Sequence, residues 1–389
     1  KRFVGYDIAD GAPQIIRRHF EPLTSGGETV IATNFTEFGA MYIIEVARGC
    51  GRHCRFCMAG YCFRVPRVRP LDILKEGVDR AEKLGKKVGL MGAAISDYPE
   101  VDELVTYIRS KDMRYSCASL RADSLTQAVV DGLAESGQKT ITIAPETGSE
   151  RLRRVINKGI SEENLRTAAQ LSAKSGIQHM RLYIMIGLPT ETDEDIDAII
   201  GLAERTQAHM AEVGCKGRLT LSINPFIPKP FTPFQWARMY TPGDYLGRAR
   251  IVNEGVHAQL NHKSIKYNWH EADVTVLEGI LARGDRKIGQ ALLKVYEKGG
   301  IFDAWSEYFD YQRWLDAFVE CGIDPDFYTM RERSMDEIFP WDFIDTGVTK
   351  EFLKREWNNA MKETVTPNCR MRCSGCGVKK FGGGVCYEN

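Results

Sequence analysis

Residues 42–57 read "YIIEVARGCGRHCRFC", an apolar run followed at once by a loop that contains three cysteines. Three residues separate Cys50 from Cys54, and two separate Cys54 from Cys57. The run "YIIEVA" combines β-branched and aromatic residues, which is the composition of a short strand. Glycines on both sides of Cys50 allow the backbone to fold tightly in this loop. The stretch therefore predicts a metal-binding loop beyond the end of a strand.

Five similar apolar runs follow, and helical patterns separate them. Residues 71–85, "LDILKEGVDRAEKLG", place apolar side chains on one stripe and end at a glycine, as amphipathic helices do. Alternating strands and helices predict a parallel sheet, and thus the α/β class. Six units are too few for a closed eight-stranded barrel, so we expect a partial, TIM-like (β/α)6 barrel with its chemistry at the carboxyl ends of the strands. The predicted strands are residues 42–47, 88–92, 115–119, 140–144, 180–187 and 218–224.

The chain divides into four predicted segments. Residues 40–240 hold the partial barrel, and residues 241–362 read as a helical extension without clear strands. Residues 363–389 form a cysteine-rich, metal-binding tail. Because the sequence opens on "KRFVGYDI" with no Met, we expect residues 1–39 to be an arm or the remnant of an upstream domain.

Composition and charge narrow the class of protein. Lys+Arg and Asp+Glu number 52 each, so no overall field attracts nucleic acid or membrane lipid, although a local nucleic-acid site stays open. Six arginines between residues 48 and 69 read either as a solvated face or as an electropositive rim. No apolar run approaches the roughly 18 residues of a membrane span, so no membrane partner is expected. Eleven cysteines without a signal peptide indicate metal ligands in a reducing, cytoplasmic compartment rather than disulfides.

The first three cysteines admit two kinds of metal site. Zinc with three cysteines needs a fourth ligand, and His53 or Cys62 stands close enough in sequence to supply it. The alternative is an iron–sulfur cube held by three thiolates. Such a cube keeps one iron free to bind a small molecule. The spacing alone leaves both interpretations open.

The motif in its context resembles the radical S-adenosylmethionine (SAM) superfamily. The spacing C-x3-C-x2-C, with Phe56 just before the last cysteine, follows the first strand of six βα units, and the similarity extends over about residues 40–236. "APETGSERLRRVINKGIS" and "GLPTET" follow strands four and five, although the usual Gly-Gly-Glu after strand two is absent. The resemblance implies that Cys50, Cys54 and Cys57 hold a [4Fe–4S] cluster. Its open iron would bind the methionine moiety of SAM, and an electron from a donor such as flavodoxin or ferredoxin would yield the 5′-deoxyadenosyl radical.

The same resemblance implies further cofactor contacts at the strand ends. Glu146 is expected to accept hydrogen bonds from ribose hydroxyls, and Gly187 to let the backbone approach adenine. The alternative for each polar residue is a local structural tie, and for Gly187 a plain turn. The remaining expected contacts are Ser119, Arg121 and Arg153 with the methionine carboxylate, Gly92 with the methionine amino group, and Phe56 beside the cluster.

A second cysteine group closes the chain. Residues 368–386, "NCRMRCSGCGVKKFGGGVC", repeat the first spacing and add one cysteine. Four thiolates suit either a structural zinc or a second [4Fe–4S] cluster, and the sequence does not separate them. Auxiliary clusters are frequent in the resembling superfamily, so we favour iron. The predicted ligands are Cys369, Cys373, Cys376 and Cys386.

Stretches in the C-terminal part resemble an uncharacterised group of radical enzymes that usually carry an N-terminal cobalamin-binding domain. These stretches are "ARGDRKIG", "FPWDFIDTGVTKEFL" and "CSGCGV". The resemblance implies cobalamin-assisted methyl transfer to an unknown substrate if the upstream domain exists, although no DxHxxG cobalamin signature is present. The alternatives are a methylthiotransferase-like enzyme that modifies RNA or protein, and a non-catalytic iron–sulfur electron carrier.

Overall fold

The structure, a computed structural model, describes residues 2–5, 7–117, 120–260 and 262–381. Eleven strands and twelve α-helices occur in this part of the chain. The strands are β1 (Ile16–Arg17), β2 (Met41–Glu45), β3 (Ala47–Arg48), β4 (Arg67–Val68), β5 (Lys87–Met91), β6 (Tyr115–Cys117), β7 (Thr140–Glu146), β8 (His179–Ile186), β9 (Arg218–Pro225), β10 (Ile265–Trp269) and β11 (Ile344–Asp345). The helices are α1 (Leu71–Lys83), α2 (Val101–Ser110), α3 (Gln127–Glu135), α4 (Glu150–Val155), α5 (Glu162–Lys174), α6 (Asp193–Ala211), α7 (Pro242–Gln259), α8 (Ala272–Arg283), α9 (Lys287–Glu297), α10 (Tyr311–Glu320), α11 (Pro325–Thr329) and α12 (Lys350–Met361).

Parallel strands in chain order form the wall of a partial barrel. β2, β5 and β6 make one sheet, and β7, β8, β9 and β10 make the next. Every pairing within these two sheets is parallel. All six strands expected from the sequence are present, and helices connect them. The partial α/β barrel with a helical extension is confirmed.

A seventh strand corrects the expectation that residues 241–362 contain helices alone. β10 pairs in parallel with β9, with Ile265 opposite Leu219 and Trp269 opposite Ile223. Only Ile265 of this strand is buried. Its residues, IKYNW, alternate apolar and polar side chains as strands do, but the run is only five residues long and lies between two helical patterns. The backbone pairing with β9 is what makes it a strand.

Periodic burial and capping explain the barrel helices. In α1 the buried positions include Leu71, Leu74, Val78 and Ala81, which lie on the predicted stripe and face the sheet. α6 begins with a capping box, in which the Thr192 side chain receives a hydrogen bond from the N3 backbone and the Asp195 side chain binds the N-cap backbone. The core between sheet and helices is aliphatic, and several strand residues are fully buried there.

The helical extension packs its last helix under the first cysteine loop. In α12 the buried side chains include Phe352, Glu356 and Trp357. The Phe352 ring lies 5.9 Å from the His53 ring, and the Trp357 ring lies 5.9 Å from the Phe234 ring. These contacts belong to a second apolar cluster, which joins the extension to the barrel. None of the described helices is both long and apolar enough to cross a lipid bilayer.

Candidate functional site

The first cysteine loop projects beyond the carboxyl end of β2. β3 and β4 pair antiparallel at its base, so residues 49–66 form an excursion above the sheet. Gly49 has φ +83°, and a Cβ there would lie 2.2 Å from the Phe63 carbonyl oxygen. Within the loop, the Cys50 amide donates to the Ala59 carbonyl at 3.2 Å. The loop therefore folds back on itself and requires glycine at its first turn.

The three thiols of this loop are brought close together. Burial, together with the neighbouring Cys54 and Cys57 thiols, raises the pKa of Cys50 to about 11. Burial and Cys54 also raise the pKa of Cys57. Cys50 and Cys57 are therefore neutral thiols near pH 7 until a metal displaces their protons. Three converging sulfurs on one glycine-bounded loop are the donor set that iron–sulfur clusters use.

The described residues contain no ready-made site for a single metal ion. Among them, no three His, Cys, Asp or Glu side chains are placed to hold one ion. Around one zinc, each sulfur lies about 2.3 Å from the same centre. An iron–sulfur cube is held by cysteine thiolates, which is the donor type of Cys50, Cys54 and Cys57. The cluster at these residues stays a prediction.

His53, one of the two expected fourth ligands of a zinc site, is engaged elsewhere. His53 Nδ1 lies 2.9 Å from Nη2 of Arg64, and His53 Nε2 lies 3.5 Å from Cys369 Sγ. Burial and the nearby arginines lower the pKa of His53 to about 2, so the ring is neutral. Burial raises the pKa of Cys62 to about 12. The imidazole therefore faces the C-terminal cysteines.

Two arginines near the thiols are neutralised by two aspartates. Arg52 forms ion pairs with Asp97 at 2.7 Å and with Asp123 at 2.8 Å. Arg121, an expected partner of the methionine carboxylate, pairs with Asp123 at 2.9 Å. Burial lowers the pKa of Arg121, but the neighbouring Cys54 and Asp123 side chains outweigh this effect and raise it. The structure therefore brings Arg121 to the cysteine loop, as the proposed carboxylate contact requires.

Glu146 is tied to the loop through a lysine that the sequence analysis missed. Glu146 Oε1 accepts a hydrogen bond from Lys158 Nζ at 2.7 Å, and both side chains are nearly buried. The lysine nitrogen lies 5.9 Å from the centre of the Phe56 ring. Glu146 has φ +71° at an irregularity in β7. A residue other than glycine rarely adopts that conformation, and such strain concentrates at functional sites. Lys158 precedes a glycine, so it reads as an ordinary turn residue.

The hydrogen bonds and ion pairs of Arg153 are with residues outside the cysteine loop. Its guanidinium donates to the Thr147 carbonyl at 3.2 Å and pairs with Glu162 of α5 at 3.3 Å. This is the local structural tie that the sequence also allowed. Gly92 packs its backbone on β3, since a Cβ there would lie 3.3 Å from the Ala47 carbonyl oxygen. Ser119 lies outside the described residues.

Gly187 begins a tight turn after β8. Its φ is +95°, and a Cβ would lie 3.2 Å from the Tyr240 ring. Its amide donates to the Glu191 carboxylate at 2.9 Å. Burial raises the pKa of Glu191 to about 7. The turn explains this glycine without a cofactor, and the adenine contact stays a prediction.

A cavity of about 240 Å³ opens at the carboxyl ends of β8 and β9, beside the cysteine loop. Phe56 forms part of its wall, with Met185 and Phe226 opposite. Lys229 and Glu278 form an ion pair at the lining. The cavity is therefore mainly apolar, with a few charged groups, as small-molecule sites are.

The C-terminal cysteines lie directly against the first loop. The Cys369 amide donates to the Gly51 carbonyl at 3.0 Å. Asn157 holds both segments, because its side-chain amide donates to the His53 carbonyl at 3.1 Å and to the Thr366 carbonyl at 3.0 Å. The second cysteine group is thus built onto the first, which the sequence does not indicate. Cys369 and Cys376 are buried and Cys373 is exposed, while Cys386 lies outside the described residues.

Buried arginines correct the expectation of a solvated or electropositive face. Arg55, Arg64 and Arg69 are almost completely buried. Arg55 pairs with Glu356 of α12 at 3.2 Å. These three guanidinium groups therefore lie inside the protein, and a distant part of the chain supplies the partner of Arg55.

Residues 44–203 match the profile of the radical SAM superfamily. The chain carries a radical SAM domain. The matched range contains the three cysteines and the strands from β5 to β8, so the resemblance read from the motif is confirmed at the level of the superfamily.

Curated relatives of the chain include proteins with and without a named activity. It is 35% identical over 288 residues to an uncharacterised protein of Methanocaldococcus jannaschii, covering 74% of this chain and 62% of that protein. It is 24% identical over 253 residues to the tRNA-2-methylthio-N(6)-dimethylallyladenosine synthase of Bdellovibrio bacteriovorus, covering 59% of this chain and 52% of that protein. The chain thus spans between half and two thirds of the length of these two relatives.

Solved structures similar to the chain share little sequence with it. One is the radical SAM methyltransferase TsrM from Kitasatospora setae, with a TM-score of 0.41 and 15% identity, covering 51% of this chain and 38% of that chain. Another is the coproporphyrinogen III oxidase HemN from Escherichia coli, a radical SAM enzyme, with a TM-score of 0.38 and 16% identity, covering 56% of this chain and 52% of that chain.

Proposed function

We propose that this chain is a radical SAM enzyme that cleaves SAM reductively at a [4Fe–4S] cluster held by Cys50, Cys54 and Cys57. The observation that carries the proposal is the convergence of three thiols on one loop while His53, the nearest further ligand in sequence, faces away. Three cysteine thiolates are the donor set that a cube with one open iron would take. When bound, the cluster supplies the electron that breaks the sulfonium bond of SAM and yields the 5′-deoxyadenosyl radical.

Protein side chains near the loop then have defined tasks in holding SAM. Arg121 lies beside Cys54 and offers a guanidinium to the methionine carboxylate, for which arginine geometry is well suited. Glu146, held by Lys158, offers carboxylate oxygens to ribose hydroxyls. Gly92 offers its backbone to the methionine amino group, and Phe56 separates the cluster region from the cavity. Arg153 is left out of this set because of its local contacts.

The cavity beside Phe56 is the proposed place of the substrate. A primary carbon radical removes hydrogen from almost any nearby C–H group, so the substrate must be held close and water excluded. The apolar walls at Met185 and Phe226 serve that purpose. Lys229 and Glu278 are positioned to orient a polar group of the substrate.

The reaction that follows is group transfer. Cobalamin-assisted methyl transfer is the first candidate, since the C-terminal stretches resemble cobalamin-associated radical enzymes. Methylthio transfer to RNA or protein is the second, and the 24% identity with a tRNA methylthio synthase favours it.

Cys369, Cys373, Cys376 and Cys386 are proposed to hold a second [4Fe–4S] cluster. In the reducing cytoplasm, a flavodoxin or ferredoxin would supply the electrons.

Anaerobic reconstitution with iron and sulfide, followed by SAM and dithionite, tests the proposal. We expect 5′-deoxyadenosine from the native chain and none from Cys54→Ala. Cys215→Ala is the matched control and should keep the activity, because Cys215 is a half-buried cysteine between α6 and β9. S-Adenosylhomocysteine that appears only with added cobalamin supports methyl transfer. A reconstituted protein that forms neither product contradicts the proposal and favours an electron carrier.

A further inference from the structure

His53 lies in the first cysteine loop in the sequence, but its side chain contacts the second cysteine group. Its side chain is buried, with 1% exposed. Nε2 lies 3.5 Å from Cys369 Sγ and 3.3 Å from Ser374 Oγ. Its carbonyl oxygen accepts hydrogen bonds from the Asn157 side chain and from the Tyr61 hydroxyl, which hold the backbone at this residue. The ring therefore has one orientation, with Nε2 directed at the C-terminal tail.

The tautomer of His53 follows from its contact with Arg64. A guanidinium only donates hydrogen bonds and stays protonated in proteins. At 2.9 Å from Arg64 Nη2, His53 Nδ1 must therefore accept. A neutral imidazole that accepts at Nδ1 carries its proton at Nε2. His53 thus presents an N–H group to Cys369 and has no lone pair at Nε2 for a metal.

Arg64 is a buried cation without a carboxylate partner. None of the ion pairs among the described residues includes it, and its Nε and Nη1 atoms have no hydrogen-bond partner. The side chains of Cys369 and Cys376 lie beside it, and its guanidinium stacks 5.1 Å from the centre of the Tyr61 ring and 5.9 Å from that of Phe352. An unpaired buried cation is strongly destabilising. Thiolates at Cys369 and Cys376 would supply the missing negative charge.

We propose that Cys369 and Cys376 ligate an iron–sulfur centre whose sulfurs accept hydrogen bonds from His53 and Arg64, and that these two positioning residues raise its reduction potential. The inference rests on the proposed function, because it takes the C-terminal centre to be iron–sulfur. Reduction adds one negative charge to the centre, and N–H donors and a guanidinium at the sulfurs stabilise the reduced form. The zinc alternative at the tail does not require such donors.

A redox titration of the full chain with both centres loaded, followed by electron paramagnetic resonance, tests this. Adding SAM separates the two signals, since only the centre with an open iron responds. In His53→Phe we expect reduction of the SAM-insensitive centre to become about tenfold less favourable, about 59 mV for a one-electron couple. His53→Asn keeps an N–H donor and should recover part of the change. His179→Phe is the matched control, because His179 bonds to Thr140 and Thr220 within the sheet and should leave the potential unchanged.

A second measurement covers the case in which His53→Phe fails to load metal. In native protein labelled with ¹⁵N-histidine, pulsed electron paramagnetic resonance should show a weak hyperfine coupling between a histidine nitrogen and the SAM-insensitive centre. A weak coupling is what a hydrogen bond to a cluster sulfur produces. A strong coupling would make histidine a ligand, and no coupling would remove it from the centre. Either result overturns the inference, as does an unchanged potential in His53→Phe or zinc at the tail. Failure to form 5′-deoxyadenosine would instead overturn the proposed function, whereas the potential and the nitrogen coupling of the C-terminal centre would be unaffected.

Discussion

Arg55 of the first cysteine loop and Glu356 of α12 form an ion pair at 3.2 Å, and neither side chain is accessible to solvent. The same guanidinium donates to the carbonyls of Val155 at 2.8 Å and of Thr364 at 2.7 Å. One buried side chain therefore joins the loop between Cys54 and Cys57 to the barrel and to the C-terminal tail. The shape of the first cysteine loop therefore depends on the helical extension.

Glu356→Gln should destabilise the protein by breaking the ion pair between the first cysteine loop and α12. The substitution leaves the Arg55 charge buried and unpaired, which typically costs about 3–5 kcal/mol. We expect that loss in the free energy of unfolding, measured by denaturant titration, and a lower iron content after reconstitution. The control is Glu135→Gln, which breaks an exposed pair with Arg109 and should cost less than about 1 kcal/mol. Equal effects of the two substitutions would contradict the structural role of the buried pair.

Gly49→Ala should prevent the first loop from closing. The added Cβ would lie 2.2 Å from the Phe63 carbonyl oxygen, and φ is +83°. Gly214→Ala is a matched control, because its φ of +78° brings the same strain but its Cβ would meet no atom within 4 Å. The control should lose about 1–2 kcal/mol and keep its iron. Gly49→Ala should lose most of the iron of the first cluster, measured by iron analysis, and normal iron in that variant would contradict the account.

Glu146→Gln should weaken SAM binding without removing the cluster. The amide keeps the shape of the side chain but loses the charge that pairs with Lys158. We expect the dissociation constant of SAM, measured by equilibrium dialysis with the loaded protein, to rise about tenfold, which is about 1.4 kcal/mol. Glu150→Gln changes an exposed carboxylate nearby and serves as the control. Unchanged affinity in Glu146→Gln would remove Glu146 from the cofactor site.

The pH dependence of stability should contain a contribution from Glu191. Its pKa is raised to about 7 from an ordinary value of 4.5, so the folded state holds this proton more tightly than the unfolded state does. The stabilisation is complete below about pH 4.5 and is lost as the pH rises through 7. Relative to Glu191→Gln, the native chain should therefore lose on the order of 3 kcal/mol between those pH values. Parallel stability curves for the two proteins would show that the carboxyl group is ionised throughout.

The barrel could be predicted from the sequence because its signals are local. Each of the six strands is an apolar run, and Cys50, Cys54 and Cys57 lie within eight consecutive residues of one loop. β10 was not predicted, because its short alternating run IKYNW lies between two helices and its place at the sheet edge is set by backbone pairing with β9. Local patterns predict elements, while edge strands depend on their neighbours.

The parts of the site that the sequence does not reveal depend on pairs of distant residues. Arg55 and Arg64 read as loop charges until Glu356 and the C-terminal cysteines are placed beside them. The role of Lys158 is apparent only from the structure, in which its Nζ donates a hydrogen bond to Glu146. His53 illustrates the same point, since its neighbours in sequence suggest one metal site and its contacts suggest the other.

Mössbauer spectroscopy of the ⁵⁷Fe-reconstituted chain, before and after addition of SAM, tests the central claim most directly. With three protein ligands at Cys50, Cys54 and Cys57, the signal of one iron in that cluster should shift when SAM binds, while the irons of the C-terminal centre keep theirs. A spectrum that SAM leaves unchanged, or zinc in place of iron at the first loop, would contradict the account.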